Sequence, residues 1–217
     1  MTRVKICGIT RVETLELLAR SRADYVGFVF AKSRRQVTAE AAGEMLRQVP
    51  EHPAAVGVFV NPTLTELERV LSVAPLQVIQ LHGQESPDFC ANVRKRFSLQ
   101  VWKAISIGEG KELSDELESY RPQVDAFLFD THDQKLAGGT GKRFAWTEIP
   151  RLRKLAGDTP FFVAGGIHLD NLGELLEGYR PEAIDISSGV ETDGQKDHGK
   201  ITQLLERVRE YDRQSRN

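Results

Sequence analysis

Eight short apolar runs recur along the chain, at residues 4–7, 25–30, 54–60, 78–81, 101–105, 126–129, 161–164 and 183–186. Each is rich in Val, Ile or Phe and too short for a helix, the pattern of a strand buried on both faces. Between them, residues 13–20, 39–49, 64–72, 88–96, 113–119, 146–155, 169–177 and 200–210 carry helical patterning. Thr63 followed by Glu66 is a capping-box pattern at the start of the third helix. Thr38 fits the same signal only loosely.

Strict alternation of strand and helix implies a parallel sheet with helical crossovers. Eight such units of roughly 20–35 residues, with no linker between halves, predict an α/β fold, a single (β/α)8 TIM barrel of eight parallel strands. The expected domain spans residues 1–217. A doubly wound open sheet is the alternative, because strand count alone does not close a barrel.

Composition narrows the function classes. The 217 residues can bury a substantial core. Lys and Arg number 29 against 31 Asp and Glu, a formal net charge of -2, and the charges are interspersed. With no basic stripe, nucleic-acid and membrane-surface partners are not expected, while a small anionic ligand is compatible. Two cysteines, Cys7 and Cys90, are too few for a disulfide framework and suit a reducing compartment. Cys90, in Pro87-Asp88-Phe89-Cys90-Ala91, reads as packing. The N-terminus lacks the continuous apolar run of a signal peptide, and no segment approaches a bilayer-spanning length. The expected location is the cytoplasm.

In a closed barrel the functional groups collect at the C-terminal ends of the strands. Here those ends read Cys7-Gly8, Phe30 with Ser33-Arg34-Arg35, Val60-Asn61, Gln80-Leu81-His82-Gly83, Ser106, Asp130-Thr131, Ala164-Gly165-Gly166 and Ser187-Ser188-Gly189. Glycines after the seventh and eighth strands, at Gly165, Gly166 and Gly189, let backbone N–H groups approach an anion closely, a phosphate-binding pattern. The stretch from Leu136 to Lys142, with Gly138, Gly139 and Gly141, reads as a lid over the mouth.

Two groups there suit proton transfer. Cys7 ends the first strand with Gly8 behind it, and on alternation it shares a face with Lys5. Asp130 ends an apolar strand and shares a face with Ala126 and Leu128; if that face is inward, it sits across the mouth from Cys7. Loss of solvent there favours the protonated carboxyl. Lys5 needs a partner inside a barrel, and Asp185, on the neighbouring eighth strand and on one face with Ser187, is the candidate. A Lys5 charge beneath Cys7 favours the thiolate.

Lys5-Ile6-Cys7-Gly8-Ile9-Thr10, Gly27-Phe28-Val29-Phe30, Gly57-Val58-Phe59-Val60-Asn61, Gln80-Leu81-His82-Gly83, Gly138-Gly139-Thr140-Gly141, Ala164-Gly165-Gly166 and Asp185-Ile186-Ser187-Ser188-Gly189-Val190-Glu191 occur in this order. Together, and on to Lys196-Asp197-His198, they resemble the phosphoribosylanthranilate isomerases of tryptophan biosynthesis. The resemblance implies an Amadori rearrangement of N-(5'-phosphoribosyl)anthranilate to 1-(2-carboxyphenylamino)-1-deoxyribulose 5-phosphate. Cys7 matches the family's general base and Asp130 its general acid. Arg35 matches the position that holds the anthranilate carboxylate. The glycine turns match the phosphate site, which gives Gly139, Gly141, Gly165, Gly166, Asp185, Ser187, Ser188 and Gly189 as substrate-binding candidates. This chemistry requires no metal or redox cofactor, and its partner is a small phosphoribosyl substrate.

Two positions depart from the family pattern. Phe144-Ala145-Trp146 replaces the common Phe-Asp-Trp: if that aspartate caps the sixth helix, a cap is lost unless Thr147 takes it over, and if it orders the glycine loop, turnover shifts instead. Gln36 stands where an aromatic residue is frequent beside the arginine. A related phosphoribosyl-aminoimidazole sugar isomerase on the same fold is the nearest rival; two aspartates serve that reaction, and Cys7 stands where the first would be. A metal-dependent epimerase or hydrolase would want clustered ligands, whereas His52, His82, His132, His168 and His198 are scattered. A catalytically silent phosphosugar-binding barrel would keep the glycine turns and lose the acid–base pair.

Overall fold

The computed structural model describes residues 1–108, 112–131 and 145–215. Eight parallel strands close on themselves in chain order: β1 (Arg3–Cys7), β2 (Tyr25–Val29), β3 (Ala54–Phe59), β4 (Val78–Leu81), β5 (Gln100–Ile107), β6 (Ala126–Thr131), β7 (Phe161–Val163) and β8 (Ala183–Ile186). The open-sheet alternative is excluded by the pairing of β8 with β1, whose register sets Lys5 beside Asp185. Helices α1 (Val12–Ala19), α2 (Ala39–Gln48), α3 (Leu64–Leu71), α4 (Pro87–Phe97), α5 (Ser114–Tyr120), α6 (Ile149–Ala156), α7 (Leu172–Tyr179) and α8 (His198–Gln214) follow the strands in turn. Among the described residues no helix is long and apolar enough to cross a membrane.

Strand alternation sorts the core into two layers. Outward-facing side chains such as Ile6, Phe28, Ile79, Phe127 and Ile184 pack under the helices. The inward set includes Val56, Val78, Trp102, Ala104, Ala126, Leu128, Phe162, Ala164 and Ala183, with Tyr25 against it. Tyr25, Trp102 and Phe162 meet at ring centroids 4.9 Å, 4.4 Å and 5.6 Å apart and fill the lower barrel. Cys90 is fully buried in the helix-facing layer, where burial pushes its thiol up to about 11.

Among the described residues, side-chain caps start four of the eight helices. Thr38 accepts from the Ala41 amide, Thr63 and Glu66 form the complete capping box, Ser86 accepts from Phe89 with Pro87 behind it, and Asp197 accepts from Lys200. Two starts fall three residues later than the sequence expectation. α7 begins at Leu172 rather than 169, because Asn171 ties the preceding turn, its Oδ1 accepting from His168 N and its Nδ2 donating to Gly166 O. The segment from Trp146 begins as a 3-10 turn, Trp146–Glu148, before α6; Pro150 has no N–H to close an α-turn onto Trp146. Thr147 does not take over the missing cap: Ala145 precedes the turn, and no side-chain cap forms.

A short antiparallel hairpin, β9 (Glu191–Thr192) and β10 (Gln195–Lys196), follows β8 and faces Glu191 to Lys196 in register. Asp193 and Gly194 make its turn with φ of 50° and 78°, the left-handed pair that a two-residue hairpin loop needs.

Candidate active site

Cys7 closes β1, faces inward and is 8% exposed. Gly8 follows with φ of 84° and turns the chain away. A Cβ on Gly8 would run into Cδ of Arg35, so the arginine stem lies across the backbone just past the thiol. One layer below, Lys5 Nζ donates to both carboxylate oxygens of Asp185 at 3.0 Å, the partner that strand alternation predicts. A Cβ built on Gly27 of β2 would lie 2.7 Å from Cys7 Sγ and 3.1 Å from Lys5 Nζ. Thiol and ammonium therefore share the space that Gly27 leaves open.

The charges are coupled accordingly. Burial pushes the Cys7 thiol above its ordinary pKa, with Lys5 pulling the other way and Asp185 adding to the rise. For Lys5, burial works downward, but the Asp185 carboxylate and then Cys7 outweigh it and raise the ammonium pKa. Lys5 thus stays cationic beneath the thiol and favours its anion, as expected. For the thiol itself, burial is the stronger influence.

Asp130 lies on β6, on the same inward face as Ala126 and Leu128. In the closed ring β7 and β8 separate β6 from β1 on one side and β2 to β5 on the other, so the carboxyl stands on the wall facing Cys7. Its Oδ2 is 3.4 Å from Nε2 of His82, just past the end of β4. The other ring nitrogen of His82 is 3.1 Å from Gln80 Nε2. His82 is held in turn by its loop: Glu85 accepts from the amides of Asn61 and Gly83 and from buried Lys103 at 3.0 Å.

Arg35 is buried and bound side-on by Glu191, with Nε donating to Oε1 at 2.7 Å and Nη2 to Oε2 at 2.9 Å. Glu191 also accepts from Arg34 Nη2 and from Lys196 Nζ, each at 2.7 Å. Burial works to raise the Glu191 pKa, but hydrogen bonds from Arg35 and Lys196 outweigh it and hold the carboxyl below its ordinary range. Burial lowers the Lys196 ammonium against the pull of Glu191. Lys196 Nζ donates to Ser187 O at 2.8 Å, and Ser187 Oγ donates to Cys7 O at 3.1 Å. One hydrogen-bonded path runs from Cys7 to Arg35. Gln36 donates to Phe30 O at 3.1 Å and ties the arginine loop to the end of β2.

On the far side of β8 the two glycine turns meet. Gly165 and Gly166 have φ of 79° and 65°, and Gly189 packs so closely on the Ile167 carbonyl that no Cβ fits. This close approach sets the turn after β8 against the turn after β7 at Ile167 and His168. Gly139 and Gly141, with the expected lid over 136–142, lie outside the described residues.

The family model for N-(5'phosphoribosyl)anthranilate (PRA) isomerase matches residues 4–207. This chain belongs to the phosphoribosylanthranilate isomerase family. An N-(5'-phosphoribosyl)anthranilate isomerase of Brevibacillus brevis is 56% identical over 217 residues, covering 100% of this chain and 98% of its own. The crystal structure of phosphoribosyl anthranilate isomerase from Thermotoga maritima matches with a TM-score of 0.84 at 33% identity, over 97% of this chain and 100% of that one. A further phosphoribosyl anthranilate isomerase structure, in complex with reduced 1-(o-carboxyphenylamino)-1-deoxyribulose 5-phosphate, matches at 0.82 and 33% with the same coverage.

Set within the phosphoribosylanthranilate isomerase family, the expected site residues divide by place. Cys7, Arg35, Asp185 and Ser187 gather around β1, β2 and β8; Gly165, Gly166, Ser188 and Gly189 form the adjoining turns; Asp130 stands opposite with His82. Sequence reasoning assigned no role to Glu191 or Lys196. The signal was present in Thr192-Asp193-Gly194-Gln195, since Asp-Gly between extended residues marks a hairpin that sets its flanking side chains opposite each other.

Proposed function

We propose that this chain is an aldose–ketose isomerase that converts N-(5'-phosphoribosyl)anthranilate into 1-(2-carboxyphenylamino)-1-deoxyribulose 5-phosphate in tryptophan biosynthesis. The observation that carries this reading is a buried thiol and a carboxyl on facing walls of one barrel mouth, with a cationic cluster and two glycine turns beside them. Asp130 gives a proton to the furanose ring oxygen, the C1'–O bond breaks, and the anthranilate nitrogen lone pair forms the protonated Schiff base. Cys7, as thiolate, takes the C2' proton, and the electron pair flows into the C1'–C2' bond to give the enol. C1' then gains a proton and the 2'-hydroxyl loses one, which leaves the ketone and restores both protein groups. Arg35 binds the anthranilate carboxylate. The glycine turns at Gly165, Gly166 and Gly189, with Ser187, Ser188 and the loop glycines Gly139 and Gly141, hold the phosphoribosyl end. Asp185 keeps Lys5 charged beneath the base. Holding both ends fixes the sugar between base and acid, which general acid–base catalysis requires.

The partner is this small substrate rather than nucleic acid or membrane, and residues 1–217 act as one barrel unit. We assign the protein to the cytoplasm, where its two free thiols, Cys7 and Cys90, remain reduced. The test is loss of anthranilate fluorescence on mixing purified protein with freshly generated phosphoribosylanthranilate. Wild type should consume it rapidly, while Cys7→Ala and Asp130→Asn should each lower kcat by roughly 10²–10⁴-fold. An inactive wild type overturns the reaction; near-normal turnover by either variant removes that residue from it.

A further inference from the structure

The cations beside Cys7 are organised by a single carboxylate. Glu191 sits on β9 with its side chain 5% exposed, and three cations converge on it: Arg34, Arg35 and Lys196. A guanidinium has two edges suited to a carboxylate. Glu191 occupies the Nε–Nη2 edge of Arg35. The other edge, Nη1 with the second Nη2 proton, makes no hydrogen bond among the described residues. The arginine stem is fixed against Gly8, so its free edge has one direction. With three positive charges around one negative, the cluster keeps a net attraction for a second carboxylate.

Glu191 is itself held from several directions. Its partner across the hairpin is Lys196, its carbonyl accepts from Lys200 Nζ at 2.8 Å, and Asp197 N bonds to Val190 O at 2.9 Å. The carboxylate is a fixed point against which Arg35 is turned.

We propose that Glu191 is a positioning residue that presents the free edge of Arg35 to the ortho-carboxylate of the substrate, and thereby makes the site prefer a carboxyaryl amine over an unsubstituted aryl amine. This inference rests on the isomerase reading above and deepens it. Lys196 completes the device by joining Glu191 to Ser187, and through Ser187 to the end of β1. The carboxylate anchor and the thiol are thus set in one frame.

The test compares two stable analogues of the product, assayed as inhibitors: reduced 1-(o-carboxyphenylamino)-1-deoxyribulose 5-phosphate, and the same compound with hydrogen in place of the carboxylate. Glu191→Gln should weaken the carboxylated inhibitor roughly 10-fold or more, the scale of a charge-assisted bidentate pair, and the other by less than about twofold. Arg35→Ala should abolish the same discrimination, and adding Glu191→Gln to it should change the ratio little. A purely structural Glu191 would weaken both inhibitors equally, and that result, or no weakening of either, overturns the inference. Should Glu191→Gln not fold, Glu191→Asp is read by the same ratio, because its arm, one methylene shorter, draws the carboxylate back from Nε and Nη2 of Arg35. Wild-type turnover of phosphoribosylanthranilate is run alongside. Its failure counts against the reaction, whereas an unchanged ratio in an active enzyme counts against Glu191 alone.

Discussion

Cys7 sits in a tight space whose shape depends on one missing side chain. The 2.7 Å and 3.1 Å approaches to a Gly27 Cβ leave no room for a methyl without moving either the thiol or the Lys5 ammonium. Gly27→Ala should therefore lower kcat while leaving KM close to wild type, because it displaces the proposed base and touches neither proposed substrate anchor; steady-state kinetics on the purified variant decide it. Equal kcat in the two proteins would mean that the thiol tolerates a shift of several tenths of an ångström. The same pocket explains why the free thiol alone does not define a base. Burial drives its pKa up, Lys5 opposes this, and the balance depends on keeping Lys5 charged. The place of Cys7 at the end of the first strand, on one face with Lys5, was legible from Lys5-Ile6-Cys7-Gly8, but the requirement at position 27 was not, since nothing in Val26-Gly27-Phe28 tells which neighbour's side chain fills the glycine's place.

Between elements, the closure of the barrel is written in the β1–β8 seam. Lys5 and Asp185 are 180 residues apart yet face each other in register. Removing one partner from a buried pair strands the other charge, so Lys5→Met should destabilise the fold by about 3–5 kcal/mol, and Lys5→Met with Asp185→Leu should recover most of that. Chemical denaturation of the three proteins measures it. The folded pKa of Lys5 is raised, so its stabilisation is complete below about pH 10, the ordinary lysine value. It fades only as pH rises through the folded pKa, and the loss on mutation should be the same at pH 6 and pH 8. This pair was readable in the sequence because a closed barrel makes the first and last strands neighbours and alternation fixes the face. Strands were readable for a similar reason: buried on both faces, each is a continuous apolar run. The start of α7 was not, because Asn171 holds it back by a side-chain turn that no periodicity records. The hold of Glu191 on Arg35 was equally hidden, since it joins a loop after β2 to a hairpin after β8 with no shared register to announce it.

At the scale of the molecule, the two ends of the barrel do different work. At the end opposite the mouth, Arg209 of α8 donates to Thr2 O at 2.6 Å, to Asp24 at 2.8 Å, and to the carbonyl of Arg22. Asp212 accepts from the Thr2 amide at 2.9 Å. The last helix is fastened there to the first strand and to the turn before β2, far from Cys7 and Asp130. Arg209→Met should cost about 3–5 kcal/mol of stability by stranding the buried carboxylate of Asp212, with kcat on phosphoribosylanthranilate unchanged at temperatures where the variant stays folded. A melting curve and an assay on the same sample separate the two effects. Just above that fastening, Tyr25, Trp102 and Phe162 fill the bore, with the Arg3 guanidinium 5.7 Å from the Phe162 ring centre. A bore stopped in this way makes the barrel a cup with one door. Reactant and product must pass through the same opening in opposite directions, so traffic is strictly one at a time, and each molecule of ketose still in the cup bars the next arrival until it has left.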